Sequence, residues 1–166
     1  MKKKREYTRR IMLARMRLLC NNGFYGLLLM HIGFKLTDEI EHCGFGNDTI
    51  FFNPQFLEQI SDDELDYALM HEILHLVLRH GPRLGEFEPE RFNIACDIVV
   101  NSNILKSNNM DEKSITLSVN GGVQPHTAPN GREGYEFTAE ELYTLVPVPD
   151  GEPIKGPGSK ATGPSS

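Results

Sequence analysis

An α+β fold is what this sequence predicts, a small mixed sheet packed on two long helices in one compact domain. Three observations lead there. The stretch "SDDELDYALMHEILHLVLRHGPR" opens on a capping box, Ser61 with Glu64, and closes on Gly81 and Pro82, with apolar residues covering most of its circumference. "PERFNIACDIVVNSNIL" carries a second, largely apolar helical pattern. Ahead of both, "FYGLLLMHIGFKL" and "TIFFN" are short pieces with strand-like composition, bounded by Gly, Asn, Asp and Pro. A length of 166 residues with 39% hydrophobic side chains suits one domain with a modest core.

In chain order, the pattern predicts a helix over about residues 6–20, laying Ile11, Met12, Met16 and Leu19 on the body with its arginines solvated. The breaker "NNG" leads into "FYGLLLMHIGFKL", read as a strand, and "FGNDTIFFNP" holds a second strand at or near a sheet edge. Helices follow at about 62–80 and 89–105. Residues 106–136, rich in Asn, Gly, Ser and Thr, read as loop with one strand at "SITLSV". Thr138 and Glu141 start a last short helix. The domain is expected to span 1–146, and the Pro/Gly/Ser-rich residues 147–166 to form a disordered tail or linker.

Charge is uneven. Residues 1–17 hold eight of the 17 Lys and Arg and, of 23 acids, Glu6 alone, so the remainder is strongly acidic. A basic end of this kind can meet nucleic acid, but an amphipathic helix resting on an acidic body accounts for it, and a nucleic-acid partner is not expected. No apolar run is long enough to span a bilayer, and Arg15 and Arg17 interrupt the segment where a signal peptide would need its apolar stretch. A cytoplasmic protein is therefore expected. Cys20, Cys43 and Cys96 are odd in number and form no CxxC pair, which excludes a disulfide framework and a cysteine-rich zinc knuckle.

The chemistry lies in "MHEILH". His71 and His75 are about 40° apart around a helix and one turn apart along it, so both imidazoles can grip one ion, with Glu72 beside it. This is the zincin arrangement, in which two neutral imidazoles bind Zn²⁺ and the glutamate takes a proton from water. Burying these groups in an apolar helix is costly unless a metal compensates. A catalytic site takes three protein ligands. His80, nine residues on, falls about 180° from His71 and suits the helix end better. Asp97 is the stronger candidate, because a lone carboxylate among Ile94, Ile98 and Val99 needs a partner, and Asn93, Asp97 and Asn101 form one polar stripe. Asp97 either ligates the metal or receives an imidazole N–H, and Glu90 is a weaker substitute. Cys96 points elsewhere and reads as core. His126 or Tyr135 in the loop region would suit the donor that a developing oxyanion requires.

"FGNDTIFFNP", "ELDYALMHEILHLVLRHGPR", "RFNIACDIVVN" and "FTAEELYTLV", in that order, resemble the putative metallopeptidase domain of bacterial and phage proteins described as predicted metal-dependent peptidases. The resemblance covers about residues 10–146, with Phe92 standing where members often have Trp. It implies a compact zincin-like α+β fold in which the HExxH helix carries His71 and His75 as ligands and Glu72 as catalytic base, and a second helix carries Asp97 as third ligand. It also implies a peptide or protein substrate, and a von Willebrand factor A-like domain or an ATPase as partner. The rival class is a zinc-stabilised, catalytically silent binding module, against which Glu72 argues, since a structural zinc site has no use for it. A peptide laid along "TIFFN" by strand addition would be the mode of substrate binding.

Overall fold

The computed structural model describes residues 1–148. The tail expected over 147–166 thus lies, from residue 149 on, outside the described residues. The fold is α+β. Helix α1 (Lys2–Asn21) is followed by α2 (Gly23–Leu29), strands β1 (Gly33–Leu36), β2 (Cys43–Gly46) and β3 (Thr49–Phe52), and helices α3 (Pro54–Gln59), α4 (Asp62–Val77), α5 (His80–Arg83) and α6 (Pro89–Ser107). The two-residue strands β4 (Thr116–Leu117) and β5 (Gly122–Val123) pair with each other, and α7 (Ala139–Tyr143) closes the described part. Among the described residues no helix is long and apolar enough to cross a membrane.

The N-terminal helix lies on the body rotated from the expected face. Ile11, Ala14 and Leu18 are buried, while Met12, Met16 and Leu19 are exposed. Two arginines one face-repeat apart set that rotation. Arg17 grips Asp66 through two bonds of 2.8 and 3.1 Å, and Arg10 reaches the carbonyls of Leu57 and Ile60 and the carboxylate of Asp62. These arginines are therefore paired rather than solvated. The first half of "FYGLLLMHIGFKL" is helix α2, not strand. A continuous apolar run has no period of its own, so packing on α1 and α4 decides its form. The approach to α1 is so close that a Cβ on Gly26 would lie 2.3 Å from the Leu19 Cα, a space only glycine fits.

The three-stranded sheet has the order β1-β3-β2, with β1 parallel and β2 antiparallel to β3. "TIFFN" is thus the central strand and not an edge, which removes it as a site of strand addition. The edges are β1 and β2, and the Gly44 and Gly46 of β2 carry no strand signal in the sequence. Strand β2 joins β3 through Asn47 and Asp48, both with positive φ (47° and 60°), a two-residue turn whose twist suits a hairpin. Ile50 and Phe52 point from β3 into a core shared with Leu57, Leu65, Leu69, Ile73 and Ile104. A smaller core of Ala95, Ile98, Val99, Leu142 and Val146 lies beyond α6. "SITLSV" contributes only Thr116 and Leu117 as strand, with 3-10 turns on either side.

Helix α4 begins as expected: Ser61 Oγ accepts from the Glu64 N–H and Glu64 returns a bond to the Ser61 N–H. It ends earlier, at Val77. Arg79 takes the left-handed conformation (φ 55°, ψ 40°) and turns the chain before Gly81 is reached. Arg83 fixes the turn from the other side by donating to the Leu78 carbonyl and pairing with Glu140. This turn brings His80 back against α4.

Candidate metal centre

Helix α4 supplies His71, Glu72 and His75, all buried, and α6 packs against it with Asp97 facing the two rings. The His71 and His75 Nε2 atoms are 2.9 Å apart, and Asp97 Oδ1 lies 3.0 Å from the second and 3.2 Å from the first. Ligand atoms around a tetrahedral zinc stand about 3.3 Å apart. The triangle has that size, and it is the group of His, Cys, Asp and Glu side chains among the described residues whose ligand atoms converge within 4.8 Å. Two neutral imidazoles and a carboxylate are also a donor set that holds a divalent metal with a coordination position left over. The Asp97 side chain is 22% exposed, so the triangle is reached from that side while the histidines stay covered.

The outer ring nitrogens decide where the lone pairs point. Asn101 Nδ2 donates to the Pro125 carbonyl at 2.9 Å, which turns its Oδ1 toward His71. That oxygen lies 2.9 Å from His71 Nδ1 and also receives the Tyr67 hydroxyl at 2.6 Å. His71 therefore carries its proton on Nδ1, leaving the Nε2 lone pair for the triangle. His75 Nδ1 lies 3.0 Å from His80 Nδ1. Burial, then the neighbouring His75 and Arg83, lower the His80 pKa to about 3. Where neutral His80 takes the His75 Nδ1–H at its own Nδ1, the second Nε2 lone pair joins the first. Two Nε2 lone pairs 2.9 Å apart call for a proton or a metal ion between them. With the Asp97 carboxylate aimed at the same point, two imidazoles and a carboxylate form a donor set that fits a divalent metal.

Glu72 stands beside the triangle, wholly buried. Its Oε1 receives the Cys43 thiol at 3.6 Å, and its Oε2 has no hydrogen-bond partner among the described residues. Phe45, two residues along β2 from Cys43, stacks on the His75 ring with centroids 5.7 Å apart and planes 14° apart. The sheet edge is thus one wall of the site.

A family model described as "Putative metallopeptidase domain" matches residues 6–165. The chain belongs to this family. No curated protein and no solved structure matches it. Membership gives the coarse class of the domain, that of the metal-dependent peptidases.

In this metallopeptidase-family domain the electrostatics follow from burial. Burial raises the Glu72 pKa to about 8; His71 acts against that and Asp97 adds to it. A divalent cation in the triangle would favour the carboxylate form again, the form that accepts a proton. Burial also pushes Asp97 up, but His71 and His75, which donate to it from Nε2 when a proton rather than an ion lies in the triangle, outweigh burial and hold the carboxyl below its ordinary value.

Other expectations are redistributed. His80 is not part of the triangle and does not close the α4 helix end; it starts α5 and orients His75. Glu90 is exposed at the start of α6 and outside the triangle. Cys96 is core, packed with Phe92 and Ala139. His126 Nδ1 sits 3.0 Å from both oxygens of Glu133, and Tyr135 lies under the Lys106 ammonium. Sequence reasoning placed Asn101 on the polar stripe but missed its bond to His71, and it missed Tyr67, Cys43 and Phe45 altogether. Tyr67 had a signal, since it stands four residues before His71 on one helix face. Asn101→Leu should keep the volume, lose the acceptor, and weaken metal binding about 10- to 100-fold. Competition with a chelating dye measures this, and an unchanged affinity would show that the Asn101 bond does not orient His71.

Proposed function

We propose that this domain is a zinc-dependent peptidase in which His71, His75 and Asp97 hold the metal and Glu72 is the general base. The observation that carries the reading is the pairing of a three-ligand triangle, open on the Asp97 side, with an adjacent carboxylate oxygen that has no hydrogen-bond partner among the described residues. A zinc ion held by these three residues would supply Lewis acidity toward the scissile carbonyl and a water of lowered pKa. Glu72 takes the proton of the attacking water at Oε2 and passes it to the leaving amine. The Asn101 and His80 bonds keep both imidazoles in the ligating tautomer. Cys43 holds the other Glu72 oxygen, so the carboxylate presents a single free atom to the reaction.

An extended peptide would lie along the open side of β2, which carries Cys43 and Phe45 of the site wall and has β3 on its other side alone. A silent scaffold leaves Glu72 without a purpose at a cost of several kcal/mol for a buried carboxylate. Three free cysteines agree with action in the reducing cytoplasm.

The test is elemental analysis of protein purified without chelator, beside digestion of a broad peptide library. About one zinc per chain and metal-dependent cleavage are expected. Absence of any transition metal would overturn the site, and iron in place of zinc would overturn the choice of ion, since two histidines and a carboxylate also suit ferrous iron.

A further inference from the structure

The two edges of the three-stranded sheet differ. One is β2, at the metal triangle; the other is β1, which has β3 as its one strand neighbour. Gly33 N–H donates to the Asp48 carbonyl and Thr37 N–H to that of Phe52, each at 2.9 Å. Backbone groups alternate sides along a strand, so Gly33, Lys35 and Thr37 face β3, while Phe34 and Leu36 turn their N–H and C=O groups outward. Those groups open into a groove of about 430 Å³ whose opposite bank is a single stripe of α1, running from Lys4 through Thr8 and Ile11 to Arg15.

The groove is cationic. Lys4, Arg15 and Lys35 line it and no Asp or Glu does. None of the three has a carboxylate partner among the described residues, although Arg10 and Arg17 on the same helix are both paired. Arg15 lies 5.1 Å over the Phe34 ring, which holds its charge at the groove wall. Ile11, Phe34 and Leu36 give the groove apolar surface between the cations. A lysine on an open edge discourages pairing with neutral or basic strands. It does not discourage an acidic one.

The geometry points to β1 as a docking edge for an extended, acidic segment of a partner protein, pairing with the Phe34 and Leu36 backbone while its carboxylates meet Lys4, Arg15 and Lys35. This site is separate from the metal triangle and does not depend on the peptidase reading.

The test is fluorescence polarisation of the full chain with a labelled, acetylated octapeptide of alternating Val and Glu. Saturable binding that weakens with salt is expected. The Val/Lys peptide should not bind. A Val/Glu peptide N-methylated on alternate amides should bind about 10-fold more weakly, the loss of roughly two backbone hydrogen bonds. Lys35→Glu should also weaken the acidic peptide, and Lys35→Glu with Arg15→Glu should weaken it further, at unchanged circular dichroism. No binding of the acidic peptide would overturn the proposal. So would equal binding of both charge types, indifference to N-methylation, or charge reversals without effect. Phosphatidylserine vesicles or duplex DNA that bind through the same cations, in the absence of peptide binding, would reassign the surface to phosphate and equally overturn it.

Discussion

Glu72→Gln is expected to keep zinc, fold and melting temperature and to lose peptide cleavage by ~10²–10⁴-fold, the usual contribution of a positioned general base. The amide has the volume and helix propensity of the acid, and Glu72 is outside the ligand triangle. The Cys43 thiol can still donate to the amide oxygen, so the side chain stays in place. Only the basicity of the oxygen facing the reaction is removed, which lowers kcat and kcat/KM together. Cleavage at the wild-type rate by a zinc-loaded Glu72→Gln protein would eliminate the proposed role. Loss of zinc along with activity would mean that Glu72 is a ligand.

His71→Ala should act on metal and stability at once. Anything that binds only the native state stabilises it by mass action, by about 4 kcal/mol at a thousandfold excess over Kd. For a chain of this size each kcal/mol moves the melting temperature by roughly 2–4 °C. Wild-type protein should therefore gain on the order of 10 °C from saturating zinc, and His71→Ala almost none. The variant also loses the His71 Nδ1 bond to Asn101, while Tyr67 and Asn101 stay bonded to each other, adding a small loss without metal. Thermal scans with zinc and with chelator separate the two contributions. An equal zinc-induced shift in both proteins would show that the ion binds elsewhere.

The parts of the fold that were legible had local causes. The capping box of Ser61 and Glu64 and the apolar surround of His71 and His75 announce α4 and its buried pair of histidines within one stretch. Asp97 was legible because a single carboxylate in the apolar pattern of α6 needs a reason. What escaped was set by distant packing. Arg79 turns the chain early because His80 meets His75 and Arg83 meets Glu140, contacts a helix pattern does not contain. The first half of "FYGLLLMHIGFKL" is helix because α1 and α4 receive it there. β2 was hidden because half of "CGFG" is glycine, and its value lies in the site it borders rather than in its own propensity. Cys43 and Phe45 became readable only once β2 was seen beside α4.

The turn at Asn47 and Asp48 carries a further meaning. Cys43 and Phe45 face the histidine helix because they are two apart on a strand and because the hairpin sets Cys43 opposite Phe52 and Phe45 opposite Ile50. Side chains along a strand alternate, so a hairpin slipped by one position presents the other set. Here that set is Gly44 and Gly46, which have nothing to offer either Glu72 or His75. Two loop residues that touch no ligand thus act as a ruler, and the length they measure out is part of the chemistry.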